Sequence, residues 1–282
     1  MERAAVVRAD NKDKGGNMLK PYLVAAVLLA TAGAANAQNT QQEIERYRQM
    51  IADGNPAELY EAKGEGIWKQ KRGPKQVSLE QCDLGLGAGV VKGVYAQLPR
   101  YFKDADRVMD LETRLVHCMV SLQGISEADA KRNPFSTADR TSDMESLVSF
   151  VTAESKGVKM NVSLSHQKER EMYQLGEKMF YFRGGPYDFS CATCHGEDAK
   201  RIRLQDLPNL TNAKDAQRAY TTWPAYRVSQ STVRTFQWRL FDCFRQQRFP
   251  ALEFTSDASV ALTTFLAKNA NGGTLAAPAL KR

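Results

Sequence analysis

Apolar positions recur at helical spacing in six stretches of the chain: Thr40–Asp53, Asp104–Ser121, Ser142–Thr152, His166–Phe182, Thr232–Arg245 and Ser256–Ala267. Each begins at or near a residue that can cap a helix, and Gly- or Pro-bearing segments separate them. No segment alternates apolar and polar residues for long enough to predict a sheet. Pro208–Asn212 and Asn269–Pro278 read as loops. The pattern predicts a mostly α protein of short helices joined by turns.

One apolar run departs from that pattern. Lys20 precedes Tyr22–Ala35, and Ala35-Asn36-Ala37 follows, which is a basic start, a short apolar core and an A-x-A cleavage site. The run is shorter than the roughly 20 residues a spanning helix needs. Residues 1–37 are therefore expected to be a signal peptide directing the chain to the periplasm, with an uncleaved anchor as the alternative, and the mature form has no membrane span. Met18 is a better start for such a signal than Met1.

The 282 residues carry 39 Lys and Arg against 32 Asp and Glu. The signal segment holds five basic and three acidic residues, so the mature chain is only mildly basic. That balance suits anionic substrates or acidic partners, and no block of Lys and Arg points to nucleic acid. Five cysteines leave one without a disulfide partner, and in an exported protein an odd cysteine is reactive, shared with another chain, or bound to something.

Cys191-Ala192-Thr193-Cys194-His195 is a C-x-x-C-H motif, the attachment site of a c-type haem. Two thiols reach the two vinyl groups on one porphyrin edge, and the adjacent imidazole lies beneath the iron. A zinc site would need a second ligand pair, and only one cysteine follows. The second axial ligand is narrowed by elimination. All nine methionines precede residue 191, and no histidine follows His195. Cys243 is the strongest ligand-type side chain downstream, ahead of Lys268 and the tyrosines, while His117 and His166 lie upstream. A buried inert thiol or an open sixth position are the other possibilities. Arg239 stands four residues before Cys243, on the same face of a predicted helix. There it can stabilise a thiolate or hold an oxyanion, or it can pair with Asp242 or Glu253 as ordinary surface charge. Arg245 and Arg248 add positive charge nearby.

The chain also repeats itself. A shift of 112 lays Gly64-Glu65 on Gly176-Glu177, Trp68 on Phe180, Gly73-Pro74 on Gly185-Pro186, Ser78 on Ser190 and Cys82 on Cys194. A shift of 125 lays Pro99 on Pro224, Tyr101 on Tyr226, Arg114-Leu115 on Arg239-Leu240 and Cys118 on Cys243. Two related cytochrome-c-like domains follow, near 38–155 and 156–282, with an insertion between Cys194 and Pro224 in the second. In the first copy Leu79 replaces Cys191 and Asp83 replaces His195, so that copy is predicted to lack haem. It retains Cys82 and Cys118 on opposite sides of the lost ring. The collapsed or filled cavity is expected to place them in a disulfide, two free buried thiols being the alternative.

With C-A-T-C-H, the downstream R-L-F-D-C-F and the earlier R-L-V-H-C-M in view, the chain resembles the SoxA family, over essentially the whole mature length. SoxA is the larger subunit of a periplasmic cytochrome of thiosulfate oxidation. The resemblance implies an L-cysteine S-thiosulfotransferase of the single-haem type, which joins thiosulfate to a cysteine of the SoxYZ carrier. Partners implied are the SoxX cytochrome subunit, as a heterodimer, and a c-type cytochrome electron acceptor. By position it implies Cys191 and Cys194 as haem anchors and His195 as proximal ligand. It further implies Cys243 as distal ligand and catalytic cysteine, found as a persulfide, and Arg239 as the substrate-binding arginine. A c-type electron carrier with a thiolate-ligated haem is the competing function.

Overall fold

The computed structural model describes residues 54–202 and 205–281. The signal segment and the helix expected at Thr40–Asp53 lie outside the described residues. The described residues form one compact unit, in which both copies of the repeat pack together.

The first copy holds α1 (Ala57–Lys69), a hairpin of β1 (Arg100–Phe102) and β2 (Arg107–Met109), α2 (Leu111–Ser121), a short α3 (Glu127–Ala130) and α4 (Asp143–Ala153). The second holds α5 (Gln167–Tyr181), α6 (Cys191–His195), a small hairpin of β3 (Arg201–Ile202) and β4 (Gln205–Asp206), and α7 (Ala213–Tyr220). It continues through β5 (Ala225–Arg227), β6 (Thr232–Arg234), α8 (Phe236–Gln246), α9 (Asp257–Asn269) and β7 (Ala279–Lys281). β1 and β2 pair antiparallel with Tyr101 opposite Val108, and β5 and β6 with Tyr226 opposite Val233. β7 joins the second hairpin alongside β5, in parallel.

The duplication is carried in detail. The α2 and α8 helices occupy the same positions at a shift of 125, each capped by the residue before it: Asp110 accepts from the Thr113 amide and Thr235 from the Trp238 amide. Side-chain oxygens at these positions satisfy amides that the first helical turn leaves free. In each copy a long helix crosses a partner at a glycine. A Cβ on Gly64 would come within 2.1 Å of the Ser146 carbonyl oxygen in α4, and one on Gly176 within 2.0 Å of the Ala261 carbonyl oxygen in α9. Any side chain at either position would drive the two helices apart, so the glycines set the closest approach. Trp68 meets Phe150 beside the first crossing and Phe180 meets Phe265 beside the second.

Two predicted helices begin later than expected. Asp104–Ser121 divides into a turn, strand β2 and α2, and Thr232–Arg245 divides into β6 and α8. Asp106 and Ser231, at the two hairpin turns, hold φ of 49° and 51°, a left-handed conformation that reverses the chain. Strands of three residues are too short to display alternation, which is why the hairpins do not register as a sheet in the sequence pattern. The first copy is filled rather than hollow. Leu79, Leu84, Leu98, Leu111 and Leu115 are fully buried there. The predicted disulfide joins Cys82 and Cys118, with 5.7 Å between the Cα atoms.

The two copies meet across a seam of buried polar groups. Arg234 of β6 donates to the Ser136 carbonyl at 2.9 Å and faces Glu145 of α4 at 3.3 Å. Tyr60 and Thr232 share a hydrogen bond of 2.7 Å. At the start of α2, Asp110 accepts from Gln237 Nε2 at 2.6 Å, and Gln237 Oε1 in turn accepts from the Thr255 amide at 2.9 Å. Glu112 lies two residues on, buried near Asp110, and burial together with that neighbouring carboxyl pushes its pKa up to about 8. The folded chain thus holds a proton that the unfolded chain releases near 4.5. Stability from this group is complete below that lower value and is lost as pH rises toward 8. Thermal unfolding followed from pH 5 to pH 8 is expected to show a melting temperature falling by on the order of 5 °C. Glu112→Gln, which carries no titratable proton, is expected to flatten that fall. An unchanged slope in the variant would place the pH dependence elsewhere.

Candidate haem and sulfur site

Ser190 starts α6. Its hydroxyl accepts from the Thr193 amide at 3.1 Å, and Thr193 Oγ1 accepts from the Ser190 amide at 2.9 Å, a reciprocal cap that closes a single helical turn. That turn sets Cys191 and Cys194 three residues apart on one face and leaves His195 at its end. Cys191 packs against the hydrophobic core, and burial pushes its thiol pKa up to about 12.

His195 is oriented from a loop the sequence pattern does not mark as functional. Its Nδ1 lies 2.8 Å from the Pro208 carbonyl oxygen, and its own carbonyl accepts from the Leu210 amide at 2.8 Å. A carbonyl can only accept, so Nδ1 carries the proton and Nε2 is left with its lone pair free. Burial, reinforced by the positive charge of Arg239, lowers the imidazole pKa and keeps the ring neutral. This is the tautomer and charge state that a metal-ligating histidine requires.

Helix α8 brings Cys243 and Arg239 to the same place. Burial raises the Cys243 thiol pKa, and Arg239 is the largest influence lowering it. The charge of Cys243 is felt at Cys191 and that of Cys194 at Cys243, so the three free thiols converge with His195 on one site. Arg239 reaches Asp242 at 3.4 Å, a long contact. Asp242 is better held by Arg245 at 2.8 Å and by Gln246 Nε2 at 2.6 Å. The ordinary pairing of Arg239 with Asp242 is therefore present but weak, and the guanidinium remains partly exposed beside the thiol. Arg248 lies over the Tyr187 ring at 5.5 Å.

The residues at this site fit a c-type haem. Two thiols on one turn, a neutral imidazole with Nε2 free, and a fourth ligand-type side chain on a separate helix are the donors such a group takes. Around the motif lie exposed aromatic side chains: Tyr181, Phe182, Tyr187 and Phe189. At a shift of 112 the first copy has Lys69, Gln70, Lys75 and Val77 in their places. The sequence pattern alone did not single these out, although the mismatch within the repeat is a signal that could have found them.

Comparison with known proteins agrees with this architecture. The family model described as SoxA/TsdA, cytochrome c domain, matches at residues 63–160 and 175–275. An L-cysteine S-thiosulfotransferase subunit SoxA of Hydrogenophilus thermoluteolus is 52% identical over 239 residues, covering 85% of this chain and 87% of that protein. One from Hydrogenobacter thermophilus is 32% identical over 274 residues, covering 94% of this chain and all of its own length. Among solved structures, SoxXA from P. pantotrophus superimposes with a TM-score of 0.68 at 21% identity, over 84% of each chain, which shows a shared fold. With both halves of the duplication matched and the identity sustained over most of its length, the chain belongs to the SoxA/TsdA cytochrome c family.

Proposed function

We propose that the chain acts as an L-cysteine S-thiosulfotransferase, joining thiosulfate to the carrier cysteine of a SoxYZ partner. The convergence of Cys243 and Arg239 with His195 is the observation that carries this reading. Cys191 and Cys194 would anchor one haem c and His195 and Cys243 would hold its iron, with Cys243 also the sulfur nucleophile. Residues 38–155 and 156–282 are the two domains, with the haem in the second.

The conjugation is oxidative. A carrier thiolate and thiosulfate combine to R–S–S–SO3⁻, forming one sulfur–sulfur bond and releasing two electrons. Haem, when bound, supplies the electron acceptor, and a c-type cytochrome takes the electrons onward. The chain's own residues do the rest. Arg239 offers a hydrogen-bonding fork to the sulfonate oxygens and directs the outer sulfur toward Cys243. Cys243, as thiolate or persulfide, forms a sulfur–sulfur bond to that outer sulfur as the two electrons leave, and the carrier thiolate then attacks the outer sulfur, forms R–S–S–SO3⁻ and releases the Cys243 sulfur as its thiolate by sulfur–sulfur exchange. The Pro208 carbonyl keeps the proton on Nδ1 of His195.

A SoxX subunit completes the enzyme. The exposed aromatic side chains Tyr181, Phe182, Tyr187 and Phe189 beside the motif are apolar surface of the kind a partner covers. The test is to mix the reconstituted complex, thiosulfate, oxidised cytochrome and reduced SoxYZ, and to weigh the carrier. One added thiosulfonate per carrier and two electrons per event are expected. Electron transfer without conjugation would favour a simple carrier cytochrome. The mass of the mature chain provides a separate check on haem number. One covalent haem is expected, and a second would contradict the loss of the first site through Leu79 and Asp83.

A further inference from the structure

Around their counterpart arginines the two copies of the repeat differ in charge. In the first copy Arg114, the counterpart of Arg239, is fully neutralised. Its Nη1 donates to both carboxylate oxygens of Asp104, at 2.9 and 2.8 Å. Its Nε donates to the Asp83 carbonyl at 2.7 Å, and its guanidinium lies over the Phe102 ring at 4.2 Å. At the shift of 125, Asp104 becomes Ser229 and Phe102 becomes Arg227. The second copy therefore loses the carboxylate and gains a second guanidinium where the first copy has an aromatic ring packed against its arginine.

Arg227 ends strand β5, opposite Thr232 of β6, and β6 runs through Thr235 directly into α8. Its surroundings are Arg239, Asp242, Arg234 and Cys243. Arg234 is occupied by Glu145, Gln230 and the Ser136 carbonyl. Asp242 is occupied by Arg245 and Gln246. Arg227 Nε, by contrast, is buried without a hydrogen-bond partner. A buried guanidinium nitrogen without an acceptor, set among other cations, is costly unless an anion completes it. Two arginines beside a sulfur nucleophile match the two charges of thiosulfate.

We infer that Arg227 is a second substrate-binding residue, which pairs with Arg239 to hold the sulfonate end of the thiosulfate dianion while its outer sulfur faces Cys243. This rests on the thiosulfotransferase reading above and deepens it. The sulfonate oxygens supply the acceptor that Arg227 Nε lacks. Arg239 alone would leave one of the two negative charges uncompensated at a half-buried site. The haem-free copy shows the converse, in which Phe102 and Asp104 consume the arginine and leave nothing for an anion.

The test uses the intact haem-loaded complex with its SoxX subunit. Arg227→Phe installs the residue of the first copy, and Arg227→Lys keeps the charge without the fork. Steady-state turnover with thiosulfate, calorimetric titration with sulfate as an unreactive dianion, and the optical spectrum with haem content are measured for each. Arg227→Phe is expected to raise KM for thiosulfate and weaken sulfate binding by roughly 10- to 100-fold, the loss of a hydrogen-bonded charge. kcat is expected to stay within a few-fold, with the haem spectrum unchanged, and Arg227→Lys to recover part of the affinity. Unchanged KM and sulfate affinity with an intact spectrum would overturn the assignment. A lowered haem content or shifted spectrum with unchanged KM would assign Arg227 to a haem propionate instead and equally overturn it. If wild-type complex binds sulfate through Arg227 yet forms no conjugate, the thiosulfotransferase reading fails while the oxyanion site stands.

Discussion

Cys243→Met is expected to abolish thiosulfate conjugation, by on the order of 10³-fold or more, while leaving the haem in place. The magnitude is that of removing a nucleophile from a site whose remaining groups still bind and orient. Retention of haem follows from the separation of tasks between elements. Cys191, Cys194 and His195 lie on α6 and are oriented by the Ser190 cap and the Pro208 carbonyl, whereas Cys243 is carried by α8. A methionine can also ligate iron, and a thioether in place of a thiolate raises the reduction potential. The substitution therefore separates two roles that a simple deletion would confuse. Conjugation assayed on the carrier, beside a potentiometric titration, gives the answer. Full conjugating activity with a raised potential would mean that Cys243 serves only to set the potential, and the chain would be an electron carrier.

Removing the disulfide with Cys82→Ser and Cys118→Ser together is expected to cost about 4 kcal/mol, the loop-closure entropy for a separation of 36 residues. For a chain of this size that is a fall in melting temperature of roughly 10 °C. The loss should be large because both sulfurs sit in the filled core of the first copy, among Leu79, Leu84 and Leu115. Two serine hydroxyls there would be buried with no acceptor at hand, adding to the cost. Activity per haem at a temperature where the variant stays folded is expected to change little, because α8 is fixed separately by Gln237 to Asp110 and Thr255. Thermal unfolding of the double variant under oxidising conditions measures this, and a melting temperature within about 2 °C of the wild type would show that the cross-link contributes little.

The first copy has a structural use that its broken motif conceals. Its α2 meets the start of α8 through Asp110 and Gln237, and its α4 holds β6 through Glu145 and Arg234. Both contacts hold the segment that presents Arg239 and Cys243. The first copy thus serves as a rigid mount for the second, which gives a physical reason for keeping a folded domain whose attachment motif is broken at Leu79 and Asp83.

Much of this was legible in the linear chain, and the reason differs from feature to feature. The haem motif could be read because attachment chemistry demands two thiols and an imidazole at fixed local spacing. The paired cysteines of the first copy could be read because the repeat carries Cys118 onto Cys243 and Cys82 onto Cys194. The helix cores of α4, α5 and α9 followed from their apolar spacing. The hairpins β1–β2 and β5–β6 did not, since three-residue strands have no period to detect. Nor did α1, whose two internal glycines, Gly64 and Gly66, weaken its helical signal. It is held as a helix by the close crossing that Gly64 permits against α4.

What sequence alone determined is the local and the repeated: the attachment motif, the duplication, the loss of the first haem motif, the disulfide pair, and Cys243 with Arg239 as a pair on one helix face. Only the tertiary structure decided which groups compensate one another's charge. It assigns Asp242 to Arg245 and Gln246, gives His195 the Pro208 carbonyl, and leaves a buried nitrogen of Arg227 without an acceptor beside Arg239. Charge compensation depends on distances across the fold and on exclusion of water, neither of which a one-dimensional pattern contains.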